Sequence, residues 1–332
     1  MKLHFSILIL VISFVGLPSF AQQNVTIGPD DDVVGIIQTV VDFGSTITFE
    51  AGYYKVTPKA DGTGRPDLLR VPAGTTVRGA GSGMDPANAT IIDCGFAFDS
   101  AVKIDDGIDG VVVEDITFIN VIDAVLEFDT GSFENTFNNV WALKSHDNCV
   151  DMNGNSEAVF NFCVFGWSAA DAVNLGDQSL GIFTNCDIFL GSSDVVEVAA
   201  EAEGAFRNCI FYAGPASNDI EANGFTTIAN CVGWDPYDAD EPGVSITALG
   251  RLDLNGGGAG LPIDSVGEDP MYVASPGMGF KAETMDLHLQ EGSPALTAGN
   301  TEFNEFSEPI GEPTFAGSHG PAGASVKNWS LF

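Results

Sequence analysis

Two columns of residues recur through the middle of the chain at a nearly constant interval, and no other feature restricts the fold as much. The first, Asn139, Phe162, Asn185, Asn208 and Asn230, advances by 23, 23, 23 and 22 residues. The second, Glu127, Asp151, Asn174, Glu197 and Glu221, advances by 24, 23, 23 and 24. Self-similarity in this range marks a solenoid, in which each unit buries its apolar face only against its neighbours. The units are rich in Val, Ile, Phe, Asn and Gly and poor in strong helix formers, which argues against helical repeats. Leu126 and Phe128 flank Glu127, Val173 and Leu175 flank Asn174, and Val196 and Val198 flank Glu197. That period of two puts the acidic residue on the outer face of a strand. Equivalent strands stacked about 4.8 Å apart, with Gly, Asn and Ser at the turns, give an all-β fold, a parallel β-helix.

Charge narrows the partners. Lys and Arg number 12 against 46 Asp and Glu, a formal charge of −34. No electrostatic footprint for nucleic acid exists, and anionic lipid surfaces are disfavoured. Such acidity fits a solvated surface or a protein that collects cations. The start reads as a leader: Lys2, the apolar run Phe5–Val15 and the small-x-small spacing of Ser19, Phe20 and Ala21 predict a signal peptide over 1–21 and a secreted chain from Gln22. That run is too short for a membrane span, and no later segment reads as one. Cys163, Cys186, Cys209 and Cys231 lie 23, 23 and 22 residues apart. They mark one place in successive repeats, so buried, mostly reduced thiols are expected, with one or two disulfides between neighbouring coils left open. Their spacing is not that of a zinc site.

The phrases "NCDIF" and "NCIF", following "LGIFT" and "EGAFR", resemble the strand–turn–strand phrase of the pectate-lyase-like superfamily. Its turn asparagine matches Asn139, Asn185, Asn208 and Asn230, and Phe162 breaks the series. "DDVVGIIQTVVDFGSTITFEAGYYKV" is similar to that superfamily's capping helix and first strand, and "EDPMYVASPGMGFKAETMDLHLQEGSPALTAGN" to its closing phrase. The resemblance covers roughly residues 25–300. It implies a single-stranded right-handed parallel β-helix with coils of about 22–25 residues. The predicted helix, near Val33–Val41 behind Asp residues suited to its N-terminus, caps the first coil and shields its unpaired backbone edge. The domain so expected is 22–300, followed by an irregular tail over 301–332, with long loops between Asp235 and Gly279.

In that superfamily substrates lie along the outer face of one parallel sheet, and the strand carrying the acidic column corresponds to it. The column Glu127, Asp151, Glu197 and Glu221 is therefore either a solvated face or a set of Ca²⁺ ligands, a hard cation that takes several carboxylate oxygens. Asp151 and Glu197 are its foremost ligand candidates. One patch is chemically richer: Lys144, His146, Asp147 and Asp171 are the catalytic candidates, with Asp194 one coil further on. A lyase needs a base, for which Lys144 is placed better than Arg207, and a cation to neutralise the uronate carboxylate. "HDNCVDM" resembles the paired-aspartate phrase of polygalacturonases, which points to an inverting hydrolase, but the His-Gly and Arg-x-Lys signals of that family have no counterpart. Trp141, Trp167 and Asn174 are the substrate-binding candidates; the alternative for the two rings is core packing. The resulting expectation is a secreted protein that binds or cleaves an acidic extracellular polysaccharide, as a Ca²⁺-assisted lyase. A non-catalytic acidic surface or matrix β-helix stays open beside it, and oligomeric state is not readable.

Overall fold

The computed structural model describes residues 22–40, 42–58, 66–213, 220–236, 254–256, 258, 263–277, 281–300 and 313–319. The predicted signal peptide and most of the predicted tail lie outside these residues, as does much of 235–279. Within them the chain winds as a parallel β-helix with three walls. One coil shows the path: Glu157–Asn161 on the side wall, Val164–Ser168 on the back wall and Val173–Leu175 on the front wall. The front wall is an eight-stranded parallel sheet of short strands from Leu69–Arg70 to Leu254–Asn255. Side and back walls share a fifteen-stranded sheet bent at a corner.

That corner explains the asparagine column. Asp115, Asn139, Phe162, Asn185, Asn208 and Asn230 all hold φ between 53° and 56°. Asn and Asp tolerate this left-handed region best, because their short polar side chains bond locally. Phe162 adopts it against its own preference, since the coils on either side impose the turn. A second left-handed column, Phe96, Asn120, Lys144, Trp167 and Leu190, with φ from 52° to 62°, ends the back wall. Its mixed residue types carry no sequence signal.

Behind each asparagine corner the chain turns inward. Phe137, Phe160, Phe183 and Phe206 occupy one register position and stack face to face, with centroids 5.1, 4.6 and 4.9 Å apart. Beside this pile, Cys163, Cys186, Cys209 and Cys231 are free and fully buried. Their thiols reach carbonyls of Phe137, Phe160, Phe183 and Phe206 at 3.4–3.5 Å. By their spacing alone, Phe165, Phe189 and Phe211 are expected at one apolar position after the turn, stacked inside, and this holds for two of them. Phe165 pairs in register with Ile188, and Ile188 with Phe211, whereas Phe189 is one residue on. Side chains alternate along a strand, so Phe189 emerges on the outer face, over Gly166, where a Cβ would overlap its ring.

The helix at the start is shorter than expected, Val33–Ile37, with the Asp32 carboxylate accepting from Gly35 N–H at 3.1 Å. Val33, Val34 and Ile37 are buried in the main core. A second apolar cluster lies outside the back wall, where Tyr272, Leu287, Leu289, Ala295 and Ala316 cover Trp141, Val164, Phe189, Ile210 and Val232. Asn208 ties this layer down. Its Nδ2 donates to Asn185 Oδ1 at 3.2 Å and to Asn300 O at 2.7 Å, and its Oδ1 accepts from Asn300 N–H at 2.7 Å.

Two outcomes are expected. All six thiols should react with a thiol reagent only after denaturation; rapid labelling of the native protein contradicts the buried column. Asn208→Ala removes three hydrogen bonds and the residue type best suited to its corner, so urea titration should show a loss of about 3 kcal/mol.

Candidate functional site

The acidic stripe is a true column. Cα partners on successive front-wall strands run Arg70, Lys103, Glu127, Asp151, Asn174, Glu197, Glu221 and Asn255. Two unit charges one rung apart repel by about 0.9 kcal/mol in water, and the fold supplies donors against this. Lys103 binds Glu127 and reaches Asp129 at 3.3 Å, and Ser100 Oγ also donates to Glu127. Asn153 and Asn174 each donate to Asp151 at 3.0 Å. Asn223 donates to Glu221 at 2.8 Å. The asparagine that interrupts the stripe is thus a partner of the acid below it.

Glu197 differs: it faces further carboxylates. Asp171, Asp194 and Glu197 each place one oxygen within 4.8 Å of the others. Asp171 and Asp194 stand two residues before the front-wall strand, in a turn whose side chains climb from coil to coil. Asp171 N–H donates to Asn148 Oδ1 at 3.0 Å, and Asp194 N–H donates to Asp171 Oδ1 at 2.9 Å. Both aspartates are buried. Burial pushes Asp171 up to about 7, against the Asp194 N–H bond and aided by the charges of Asp194 and Glu197. Sequence reasoning had Asp171 as a catalytic group and Glu197 as a metal ligand, and the structure joins them. Asp194 was not assigned a role; the repeated polar residue two places before each strand, Asn148, Asp171 and Asp194, was the available signal.

The remaining candidates divide. Asp147 meets Asp123, whose carboxyl burial also pushes up to about 7, with the Asp147 hydrogen bond and the charges of Glu127, Asp147 and Asp151 adding to it. Asp151 is raised as well, first by burial. Lys144 and His146 meet on Phe96: the imidazole stacks on its ring with centroids 4.2 Å apart, and Lys144 Nζ lies 5.3 Å from the ring centroid. Trp141 and Trp167 are buried under the layer outside the back wall, 6% and 8% exposed. Trp167 Nε1–H donates to Gly277 O at 2.8 Å. Both rings pack and neither lines an open edge.

No family model matches the chain, and no curated protein matches it. Solved structures do. Pectate lyase Pel9A is 11% identical, with 91% of this chain and 98% of that one covered and a TM-score of 0.47. The Azotobacter vinelandii mannuronan C-5 epimerase AlgE4 A-module is 13% identical, with 58% and 60% covered and a TM-score of 0.38. Geobacillus virus E2 ORF18 is 12% identical, with 70% and 56% covered and a TM-score of 0.32. The chain thus spans about 60% of the epimerase module. The three walls and the asparagine corner decide the architecture. It is a parallel β-helix.

The raised carboxyl has a measurable consequence. A carboxyl at about 7 in the folded chain and 3.8 unfolded keeps its proton longer when folded. Between those values the native state binds more protons than the unfolded one, so stability falls as pH rises. Without divalent cations, the wild type should therefore lose stability between about pH 4 and pH 7, by at most about 4 kcal/mol from Asp171. Asp171→Asn should reduce that slope in urea titrations across the range, leaving the part due to Asp123; an unchanged slope contradicts the shift.

Proposed function

We propose that this protein is exported and binds an acidic polysaccharide along its front wall, with Ca²⁺ held by Asp171, Asp194 and Glu197. The observation that supports this reading most is the convergence of three carboxylates, one of which burial pushes up to about 7, toward keeping its proton. A divalent cation satisfies all three and displaces that proton, and carboxylate oxygens are the ligands a hard cation selects. When bound, Ca²⁺ would neutralise and polarise a uronate carboxylate. The chain's own residues do the rest. The acidic column repels an uncompensated anionic sugar chain, so attachment depends on the cation. Asn174 offers an amide on the same face. Lys144 and His146, side by side on Phe96, are the base candidates for a bound sugar.

One observation favours a second reading, a non-catalytic β-helix that holds the same polymer. Lys144 and His146 rest on an aromatic ring, and the groups that raise Asp171 are burial, Asp194 and Glu197.

The test compares the wild type with Asp171→Asn/Glu197→Gln, melted in Ca²⁺ and in NaCl of equal ionic strength. At a hundred times Kd, Ca²⁺ should stabilise the wild type by about 2.7 kcal/mol and the variant by much less. Both proteins are then mixed with pectate and with alginate. Release of an unsaturated uronate chromophore supports the lyase, and Ca²⁺-dependent binding without it supports the holding role. Equal Ca²⁺ responses with no polymer binding would sink both.

A further inference from the structure

Two of the chain's four histidines, His288 and His319, come from separate segments and meet outside the back wall, away from the acidic column. Their ring centroids are 5.2 Å apart at an interplanar angle of 76°. His288 Nδ1 is 2.7 Å from Asp286 Oδ1, which also accepts the His288 backbone N–H at 3.0 Å. Asp286 is an acceptor there, so the ring proton sits on Nδ1 and the lone pair on Nε2.

His319 is oriented the same way through a relay. Asp187 is fully buried and accepts from Tyr272 Oη, from Ser318 N–H at 2.7 Å and from Ser318 Oγ. With its hydroxyl proton given to Asp187, Ser318 Oγ can only accept from His319 Nδ1, 2.6 Å away. Nδ1 of this ring again carries the proton and Nε2 the lone pair. A carboxylate behind each imidazole, fixing its tautomer, is how metal-ligating histidines are held. Two imidazoles on one tetrahedral ion, with metal–nitrogen bonds of about 2.0–2.1 Å, keep their centroids roughly 5 Å apart. Solvent reaches both rings, the side chains being 29% and 12% exposed.

We propose that His288 and His319 form a binding site for one divalent transition metal of the Zn²⁺ and Cu²⁺ class, ligated through Nε2 of each ring with solvent completing the shell. Asp286 and the Asp187–Ser318 pair are its positioning residues. Neutral imidazole selects such borderline metals over Ca²⁺, so this site and the carboxylate cluster take different ions.

The full chain, kept in excess Ca²⁺ to occupy the carboxylates, is given one equivalent of Cu²⁺ and read by electron paramagnetic resonance. Zn²⁺ affinity is measured by competition with a chelating dye. Coupling to two imidazole nitrogens is expected, lost to one or none in His288→Gln and in His319→Gln. Asp286→Asn, at a half-exposed position, should keep its fold and weaken Zn²⁺ about 10–100-fold. His146→Gln and Asp171→Asn/Glu197→Gln should bind as the wild type does. If His319→Gln does not fold, His288→Gln and Asp286→Asn decide. No nitrogen coupling, or affinity unchanged in His288→Gln, overturns the site. Its failure leaves the Ca²⁺ response of the front wall untouched, so the two readings fall separately.

Discussion

Every coil must offer its backbone N–H and carbonyl groups at the height of the next, and the rest of this molecule depends on that match. A parallel ladder has no tolerance for a missing residue, because a slip of one turns every side chain to the opposite face. The corners therefore have to be alike from coil to coil, and a left-handed residue at each one is how the chain makes them alike. Once the corners agree, like side chains necessarily stack on like. The phenylalanine pile, the thiol column and the carboxylate stripe are consequences of one rule acting on different positions. Stacked aromatic rings gain about 0.5–1.5 kcal/mol per pair beyond the area they bury; stacked acids lose energy, and so recruit lysine, serine and asparagine partners.

This rule also explains what could be read from the sequence. A column that repeats one residue type, such as Asn185 and Asn208 or Glu197 and Glu221, is visible because the register copies it. The second left-handed corner uses phenylalanine, asparagine, lysine, tryptophan and leucine in turn. Nothing in those letters announces a shared backbone shape, so it was invisible. The spacing of Phe189 from Phe165 points it inward, and only the alternation along the strand reverses its face. The two tryptophans could not be placed, since the layer covering them is built from residues more than 100 positions later.

For the site, the sequence supplied a stripe and the structure supplied a cluster. Asp151 had seemed equivalent to Glu197, yet two amides satisfy it, whereas Glu197 shares its surroundings with two buried aspartates. The difference comes from the preceding turn, where Asn148 in one coil becomes Asp171 and then Asp194 in the next two. The histidine pair lay further beyond reach. His288 and His319 belong to no repeat, and only the folding back of the final segment makes them neighbours.

That folding back changes the kind of object the solenoid is. A stack of coils interacting only with nearest neighbours can unzip from its end one rung at a time. Here Ser318 is bound to Asp187, Gly317 and Phe315 to Asn185, and Asn300 to Asn208. The last described residues thus grip the middle coils from outside. To peel the last rung, the chain must also release a clasp anchored two rungs lower. Fraying becomes a concerted event, and a one-dimensional array acquires the all-or-none unfolding of a globular domain. The cost is kinetic: the clasp closes a loop of more than 100 residues, whose entropy delays that step until nearly the whole chain is in place.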